Sequence, residues 1–219
     1  MSAPTGIVKT SIARKFVMAF TGFFLIVFLL THLSINLLTL SSDPEAFNEA
    51  SHFMATNPLI QVMQYVLAAG FLIHIIMGIK LTKQNSDARP VKYVKNNAAA
   101  NSGFASRSMI VTGLLVLVFI VLHLKDYFWV LKFGDMTPYS SDYDLVVGLF
   151  SSPLYTVIYV AAFVLLGIHL SHGFQSAFQS LGANHPQYTP FVKGFGTWYS
   201  ILVPAGFALV AVWHFVQSL

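Results

Sequence analysis

Four long apolar stretches of the sequence each contain a histidine: His32, His74, His123 and His169. An ionisable side chain inside a membrane-spanning segment is costly, and where it occurs it usually serves function. A neutral imidazole avoids that cost when one ring nitrogen binds a metal and the other donates a hydrogen bond. The four histidines therefore indicate a metal, or a cofactor that contains one, held between apolar helices.

The surroundings of these histidines repeat. The first and third stretches share a Thr-Gly, a Val-Phe and a His-Leu pair at identical offsets: Thr21-Gly22, Val27-Phe28 and His32-Leu33 against Thr112-Gly113, Val118-Phe119 and His123-Leu124. The second and fourth share Pro-Leu, His and Gly, again at identical offsets: Pro58-Leu59, His74 and Gly78 against Pro153-Leu154, His169 and Gly173. The pattern predicts two copies of one helical hairpin.

A parallel repeat about an axis along the membrane normal pairs equivalent residues across a four-helix bundle. His32 then pairs with His123, and His74 with His169. Counting about 1.5 Å per residue puts the first pair in the outer third of the membrane and the second in the inner third, on levels roughly 15 Å apart. Two stacked b-type haems need this spacing. Two histidines saturate a haem iron, which favours electron transfer over oxygen chemistry.

Other uses of histidine give weaker interpretations. His172 is three residues from His169 and is the alternative ligand, but His169 keeps the register of the repeat. A hydrogen bond between helices explains a single histidine better than four in register. A zinc site is disfavoured because the two levels are too far apart for one tetrahedral centre. We expect His185 to be solvated and His214 to serve packing or the membrane interface.

Composition predicts an all-α integral membrane protein. Only 9% of the 219 residues are charged and 56% are hydrophobic, whereas soluble domains carry about 25% charged residues. With no cysteine, Cys-ligated clusters are excluded. We expect residues 1–219 to form a single membrane domain with five spans, at about 12–40, 59–81, 107–131, 153–180 and 196–217. Asn57-Pro58 and Ser152-Pro153 read as helix starts, and Gly194 and Gly196 as part of a loop before the fifth span.

The charges divide between the two ends of the spans. Ten of the twelve basic residues lie in the N-terminal segment and the second and fourth connections: Lys9, Arg14, Lys15, Lys80, Lys83, Arg89, Lys92, Lys95, Arg107 and Lys193. Cytoplasmic loops are enriched in Lys and Arg. The distribution predicts a cytoplasmic N-terminus and an external C-terminus.

The chain resembles the cytochrome b membrane-anchor subunit of succinate dehydrogenases and fumarate reductases, of the single-chain, five-helix, di-haem type. The likeness lies in residues 11–15 (Ser-Ile-Ala-Arg-Lys), Thr21-Gly22, His32-Leu33 and Asn36, and continues in His74 with Gly78, in His123-Leu124 and in residues 169–174 (His-Leu-Ser-His-Gly-Phe). It covers nearly the whole chain.

This resemblance implies a multi-pass protein of the bacterial inner membrane that binds a flavoprotein and an iron–sulfur subunit on the cytoplasmic side. Electrons from succinate would reach two haems b and then a quinone, menaquinone in this type. The implied haem nearest the iron–sulfur subunit is held by His74 and His169, and the distal one by His32 and His123. No nucleic acid partner is expected.

The quinone and propionate contacts follow from residue chemistry. Polar side chains at the outer rim could donate to a quinone carbonyl or relay protons: His52, Gln61, Gln64 and Tyr65. Ordinary interfacial polarity is the alternative. Basic side chains at the rims could bind haem propionates: Arg14, Lys15, Arg107 and Lys125. These could equally serve topology alone.

Two other functions compete with this reading. A di-haem cytochrome b subunit of a membrane hydrogenase or formate dehydrogenase places its ligands in a different helix pattern. A haem-free anchor or transporter also tolerates parallel repeats. A transporter is expected to show broken helices or polar residues at mid-membrane, and the sequence predicts neither.

Overall fold

A computed structural model describes residues 11–87, 108–182 and 185–219. Within these ranges the fold is all-α, without strands, as the composition predicts. The helices are α1 (Ser11–Leu37), α2 (Glu45–Thr56), α3 (Pro58–Asp87), α4 (Met109–Phe133), α5 (Asp142–Phe150), α6 (Pro153–Ser180) and α7 (Thr189–Gln217). Five of the basic residues used to predict the topology lie outside the described residues: Lys9, Arg89, Lys92, Lys95 and Arg107.

Five of these helices are long and apolar enough to cross a membrane: α1 with its short 3-10 extension to Leu40, α3, α4, α6 and α7. This confirms the prediction of five spans. α3 starts where the sequence predicts, because the Asn57 side chain accepts hydrogen bonds from the backbone N–H groups of Leu59 and Ile60. α6 begins at Pro153, as the sequence predicts, but the Ser152 side chain makes no hydrogen bond that caps the helix.

Two helices begin or end at residues other than those predicted from the apolar stretches of the sequence. α7 begins at Thr189 rather than near 196, so Gly194 and Gly196 lie inside a helix and the loop prediction is wrong. α3 continues to Asp87, six residues past its predicted end. Hydropathy marks the part of a helix that suits lipid, whereas a backbone helix can continue into water with polar side chains.

Four of the spanning helices form a ring. α1 contacts α3 and α6, and α4 contacts α6 and, more loosely, α3. α1 therefore lies diagonally opposite α4, and α3 opposite α6. α7 packs outside this ring against α6 and α1. Buried aromatic side chains pack between α6 and α7: Phe163, Phe174, Tyr199 and Phe207.

Glycines allow α6 and α7 to approach closely. A Cβ on Gly167 would lie 2.9 Å from the Ser200 carbonyl oxygen. Pro204 lies inside α7 and lacks the N–H that would bond this carbonyl four residues earlier. At a second close contact between the same two helices, a Cβ on Gly196 would lie 2.5 Å from Cδ1 of Phe174. Small residues commonly set such close packing between membrane helices.

Replacing Gly196 with alanine is expected to destabilise the protein by about 1–3 kcal/mol, because Phe174 is buried and its ring has little room to move. The measurement is thermal unfolding of the purified protein in detergent. Gly194→Ala is the matched control, two residues away with nothing within 4 Å of the added Cβ. Equal stability of the two variants would contradict this packing.

α2 and α5 lie together at one end of the bundle, which we call the α2–α5 end. The Ser51 hydroxyl donates to Asp142 at 2.5 Å, and the backbone N–H of Tyr143 donates to the Asn48 side chain at 3.0 Å. The charge distribution predicts that this end faces outward. Both helices are shorter than a membrane span, so a search for apolar stretches of that length does not find them.

α4 contains an irregular segment. Residues Leu124–Trp129 are π-helical, between regular α-helical turns at Met109–His123 and Val130–Phe133. A π-helical segment inside an α-helix frequently marks a functional position. The helix remains continuous, so it is distorted rather than broken at this point.

Candidate functional site: two histidine pairs

His32 on α1 and His123 on α4 meet across the bundle. Their ring centroids are 5.8 Å apart and the ring planes are nearly perpendicular, at 83°. A metal bound by one nitrogen of each ring at about 2 Å requires ring centres roughly 6 Å apart. The Nδ1 atom of His123 is buried and has no hydrogen-bond partner. The pair therefore has the separation that a shared metal centre requires.

Aromatic rings surround this pair. Phe28 stacks on His32 at 5.3 Å, and Phe207 of α7 lies 5.5 Å from the same ring. Phe119 lies 5.8 Å from His123, one turn earlier on α4. These rings make the surroundings apolar, which limits access of water to the imidazoles and affects the potential of any metal bound there.

His74 on α3 and His169 on α6 form the second diagonal pair, on helices that lie opposite each other in the ring. Each has the same contacts to its neighbouring helix. The Nδ1 atom of His74 lies 3.4 Å from the Thr21 hydroxyl, and that of His169 lies 3.4 Å from the Thr112 hydroxyl.

The glycine that follows each threonine leaves space for the histidine ring. A Cβ on Gly22 would lie 3.2 Å from Cε1 of His74, and a Cβ on Gly113 would lie 3.2 Å from Cε1 of His169. The sequence shows these two glycines only as part of the repeat. The signal that could have revealed their role is the repeat itself, in which Thr-Gly recurs with the histidines.

The contacts also separate the two levels. His74 touches α1 at Gly22, and His32 lies ten residues further along the same helix. His169 touches α4 at Gly113, and His123 lies ten residues further along. Ten residues of helix rise about 15 Å. Both copies of the hairpin thus give the same separation.

His172, the alternative to His169, is partly buried on α6. Among the described contacts, the threonine and glycine of α4 meet His169. His169 thereby matches His74 in register, in hydrogen bonding and in packing. This arrangement favours His169 over His172 as the ligand.

His214 is buried, unlike an interfacial side chain. Its Nε2 atom lies 2.9 Å from the Thr39 hydroxyl, and the Tyr143 ring is 6.1 Å away. The bond ties α7 to the 3-10 turn that ends α1. His185 is exposed in the connection before α7, and its Nδ1 accepts from the backbone N–H of Gln187.

Replacing His214 with alanine is expected to cost about 1–3 kcal/mol, because its buried ring no longer fills its site and the Thr39 hydroxyl keeps only its bond to the Asn36 carbonyl. We expect both histidine pairs to remain intact, so that any haem they hold is retained. Thermal unfolding and the haem-to-protein ratio test the two parts separately. Haem loss with unchanged stability would contradict this structural role.

The residues proposed for a quinone do not form one group. The hydrogen-bonding groups of Gln61 are used within the protein. Its amide N–H groups donate to the carbonyls of Met54 and Ala55. Its side-chain oxygen accepts from Gln64 and Lys132. His52 is exposed, and Tyr65 is 72% exposed on α3. Gln64 is partly buried. The polar cluster at this rim therefore consists of Gln61, Gln64 and Lys132.

The basic residues proposed for propionates also differ from one another. The Nε atom of Arg14 is buried and has no hydrogen-bond partner. Lys15 is exposed. Lys125 is bonded to Asp126 at 3.2 Å. Arg107 lies outside the described residues. Of the three that lie within the described residues, Arg14 has a buried N–H donor without a hydrogen-bond partner.

Asp126 was not singled out from the sequence as a site residue. It lies on the π-helical segment, and its side chain is only 3% exposed. Its carboxylate accepts a hydrogen bond from the buried Tyr159 hydroxyl at 3.0 Å. A charged residue in an apolar span is visible in the sequence, but its burial depends on how α4 and α6 pack.

The chain is similar to the succinate dehydrogenase cytochrome b558 subunit of Bacillus subtilis (strain 168). The two are 23% identical over 181 residues, which is 81% of each chain. This likeness supports the resemblance drawn from the sequence. No model of a protein family matches the chain, and no solved structure matches it.

Proposed function

We propose that this chain is the di-haem cytochrome b anchor of a succinate:quinone oxidoreductase. It would carry electrons between an iron–sulfur subunit and a membrane quinone. The observation that supports this most directly is the arrangement of the four histidines in two diagonal pairs. His74 and His169 make equivalent contacts with their neighbouring helices, and the rings of His32 and His123 meet across the bundle. The similarity to a succinate dehydrogenase subunit indicates which electron donor to test.

The residues present suit haem. At the His32–His123 pair the separation of the rings accommodates one metal atom between them. At the other pair, the hydrogen bonds made by the rings of His74 and His169 to α1 and α4 involve Nδ1, which leaves Nε2 to bind iron. Bound iron with two histidine ligands would supply one-electron transfer.

The protein's own part is to hold and orient the imidazoles. The threonine partners would orient the rings of His74 and His169. Phe28, Phe119 and Phe207 keep the other pair in apolar surroundings. Two sites about 15 Å apart would connect an electron donor at one face with an acceptor towards the other.

Arg14 is the proposed partner of a haem propionate. Its buried, unpartnered Nε lies two turns before Thr21, whose hydroxyl is 3.4 Å from Nδ1 of His74. A guanidinium matches a carboxylate in charge and in geometry. Lys125 is a weaker candidate, since its ammonium group already pairs with Asp126.

The quinone is proposed to bind near the α2–α5 end, with menaquinone as the expected species from the resemblance. Gln64 is the best donor of the proposed set, because its amide makes one bond, to Gln61, whereas the Gln61 amide donates to two backbone carbonyls. The flavoprotein and iron–sulfur subunits would bind at the opposite, basic end, which the charge distribution predicts to be cytoplasmic. The membrane would be the bacterial inner membrane.

The test is to purify the chain from its native membrane together with whatever binds to it and to add succinate anaerobically. We expect the optical bands of reduced b-type haem to appear, and a specific inhibitor of the dicarboxylate site to prevent this. Reduction by formate or hydrogen instead would favour the alternative oxidoreductases. A preparation without haem would favour a haem-free anchor or transporter.

A further inference from the structure

Two buried polar atoms on α4 have no hydrogen-bond partner among the described residues: the Nδ1 atom of His123 and the hydroxyl oxygen of Tyr127. A buried polar group without a partner costs about 1–3 kcal/mol, so native structures usually supply one, either from the protein or from an ordered water. The proposed function uses one nitrogen of His123 for iron and leaves both of these atoms unexplained.

The other pair of proposed ligands shows which contact is missing here. The Nδ1 atom of His74 lies 3.4 Å from the Thr21 hydroxyl, and that of His169 lies 3.4 Å from the Thr112 hydroxyl. A histidine that binds a metal almost always donates its other ring N–H to a second group, which orients the ring. His123 is a proposed ligand whose Nδ1 is buried without such a group.

Tyr127 is placed to supply that group. It lies four residues after His123 on α4, about one helical turn away, and the two ring centroids are 5.3 Å apart. The buried Tyr159 of α6 packs against both rings, with its centroid 6.2 Å from each. Its hydroxyl proton is already used, because it donates to Asp126 at 3.0 Å. The Tyr127 hydroxyl, in contrast, can still donate and accept.

We propose that one water molecule binds between these two side chains, accepting from the Nδ1–H group of His123 and donating to the hydroxyl oxygen of Tyr127. The two atoms do not bond each other directly, and polar groups too far apart for a direct bond are commonly joined by a water. A buried water needs two or more polar partners, and these two atoms provide them. Tyr127 is thereby a positioning residue for His123. Its effect on iron rests on the proposed function.

Tyr127→Phe tests this role, because it removes one oxygen atom and keeps the ring. A hydrogen bond from Nδ1–H makes an imidazole a more basic ligand, which favours oxidised iron. Without it, the His32–His123 haem should be easier to reduce. In redox titrations of the purified complex at one pH, we expect its reduced-to-oxidised ratio at a fixed potential to rise about tenfold, a shift of about 59 mV. The His74–His169 haem should not change.

Tyr155→Phe is the matched control, since it also removes one hydroxyl from a partly buried tyrosine, one turn before Tyr159 on α6. We expect it to leave both midpoint potentials as in the wild type. An unchanged potential in Tyr127→Phe, or the same shift in Tyr155→Phe, would overturn the positioning role.

An experimental structure of the wild-type complex that shows ordered waters tests the water itself, whether or not haem is bound. We expect density within hydrogen-bond distance of both Nδ1 of His123 and the Tyr127 hydroxyl. Density that contacts only one of these atoms, or neither, would overturn the inference and leave the proposed function standing. A wild-type chain without haem at His32 and His123 would overturn the proposed function, while the density at Tyr127 still decides the water site.

Discussion

Replacing His74 with alanine is expected to remove one of the two proposed haems and to leave the other. The reason is that His74 and His169 serve one level of the bundle, whereas His32 and His123 serve the level about 15 Å away. His169→Ala should therefore cause the same spectral loss as His74→Ala. His32→Ala and His123→Ala should share a different one. Optical redox titration and haem-to-protein ratios distinguish these patterns.

The control for this series is His172→Ala. His172 lies three residues from His169 on the same helix, and we expect its replacement to leave both haem signals in place. If His172→Ala removes the same haem as His74→Ala while His169→Ala does not, the assignment of the ligand is wrong. Loss of both haems in every single variant would show instead that the pairs do not bind independently.

Adding a methyl group at Gly22 or Gly113 is the second change with a large expected effect. The new Cβ would lie 3.2 Å from Cε1 of His74 or His169, which is tighter than an ordinary contact. Cε1 is the ring atom between the two nitrogens, so a shift there disturbs both the hydrogen bond to the threonine and the proposed bond to iron. An overpacking cost of about 1–3 kcal/mol corresponds to a roughly 5- to 150-fold weaker hold on that haem.

Haem retention during purification and electron paramagnetic resonance of the oxidised protein measure this effect. Both variants should alter the signal of the His74–His169 haem and spare the other. Gly194→Ala is the control, since its Cβ meets nothing within 4 Å. Alanine favours helix over glycine, so haem loss cannot be ascribed to a weaker helix. Equal effects on both haems would contradict the local contact.

Five membrane-spanning helices could be predicted because the signal is local. A span needs about 20 apolar residues, and that length is visible in any window of the sequence. The histidines stood out for the same reason, since an ionisable group is rare in such a window. The hairpin repeat added the pairing of His32 with His123 and of His74 with His169, because symmetry relates residues that sequence distance separates.

The contacts around the histidines could not be predicted in this way. Thr21 and His74 are 53 residues apart, and Thr112 and His169 are 57 apart. Whether they meet depends on the rotation and separation of two helices, and neither quantity is expressed in hydropathy. The burial of His214 against Thr39, 175 residues away, depends on α7 in the same manner.

The sequence alone therefore determined the all-α class, the five spans and the candidate ligands, because apolar length and repeat register are properties of the chain. The tertiary structure decided that Gly22 and Gly113 make room for imidazoles, that Gly194 and Gly196 lie within a helix and that Asp126 is buried. These depend on distances between helices, which packing of whole side-chain surfaces sets and no single segment encodes.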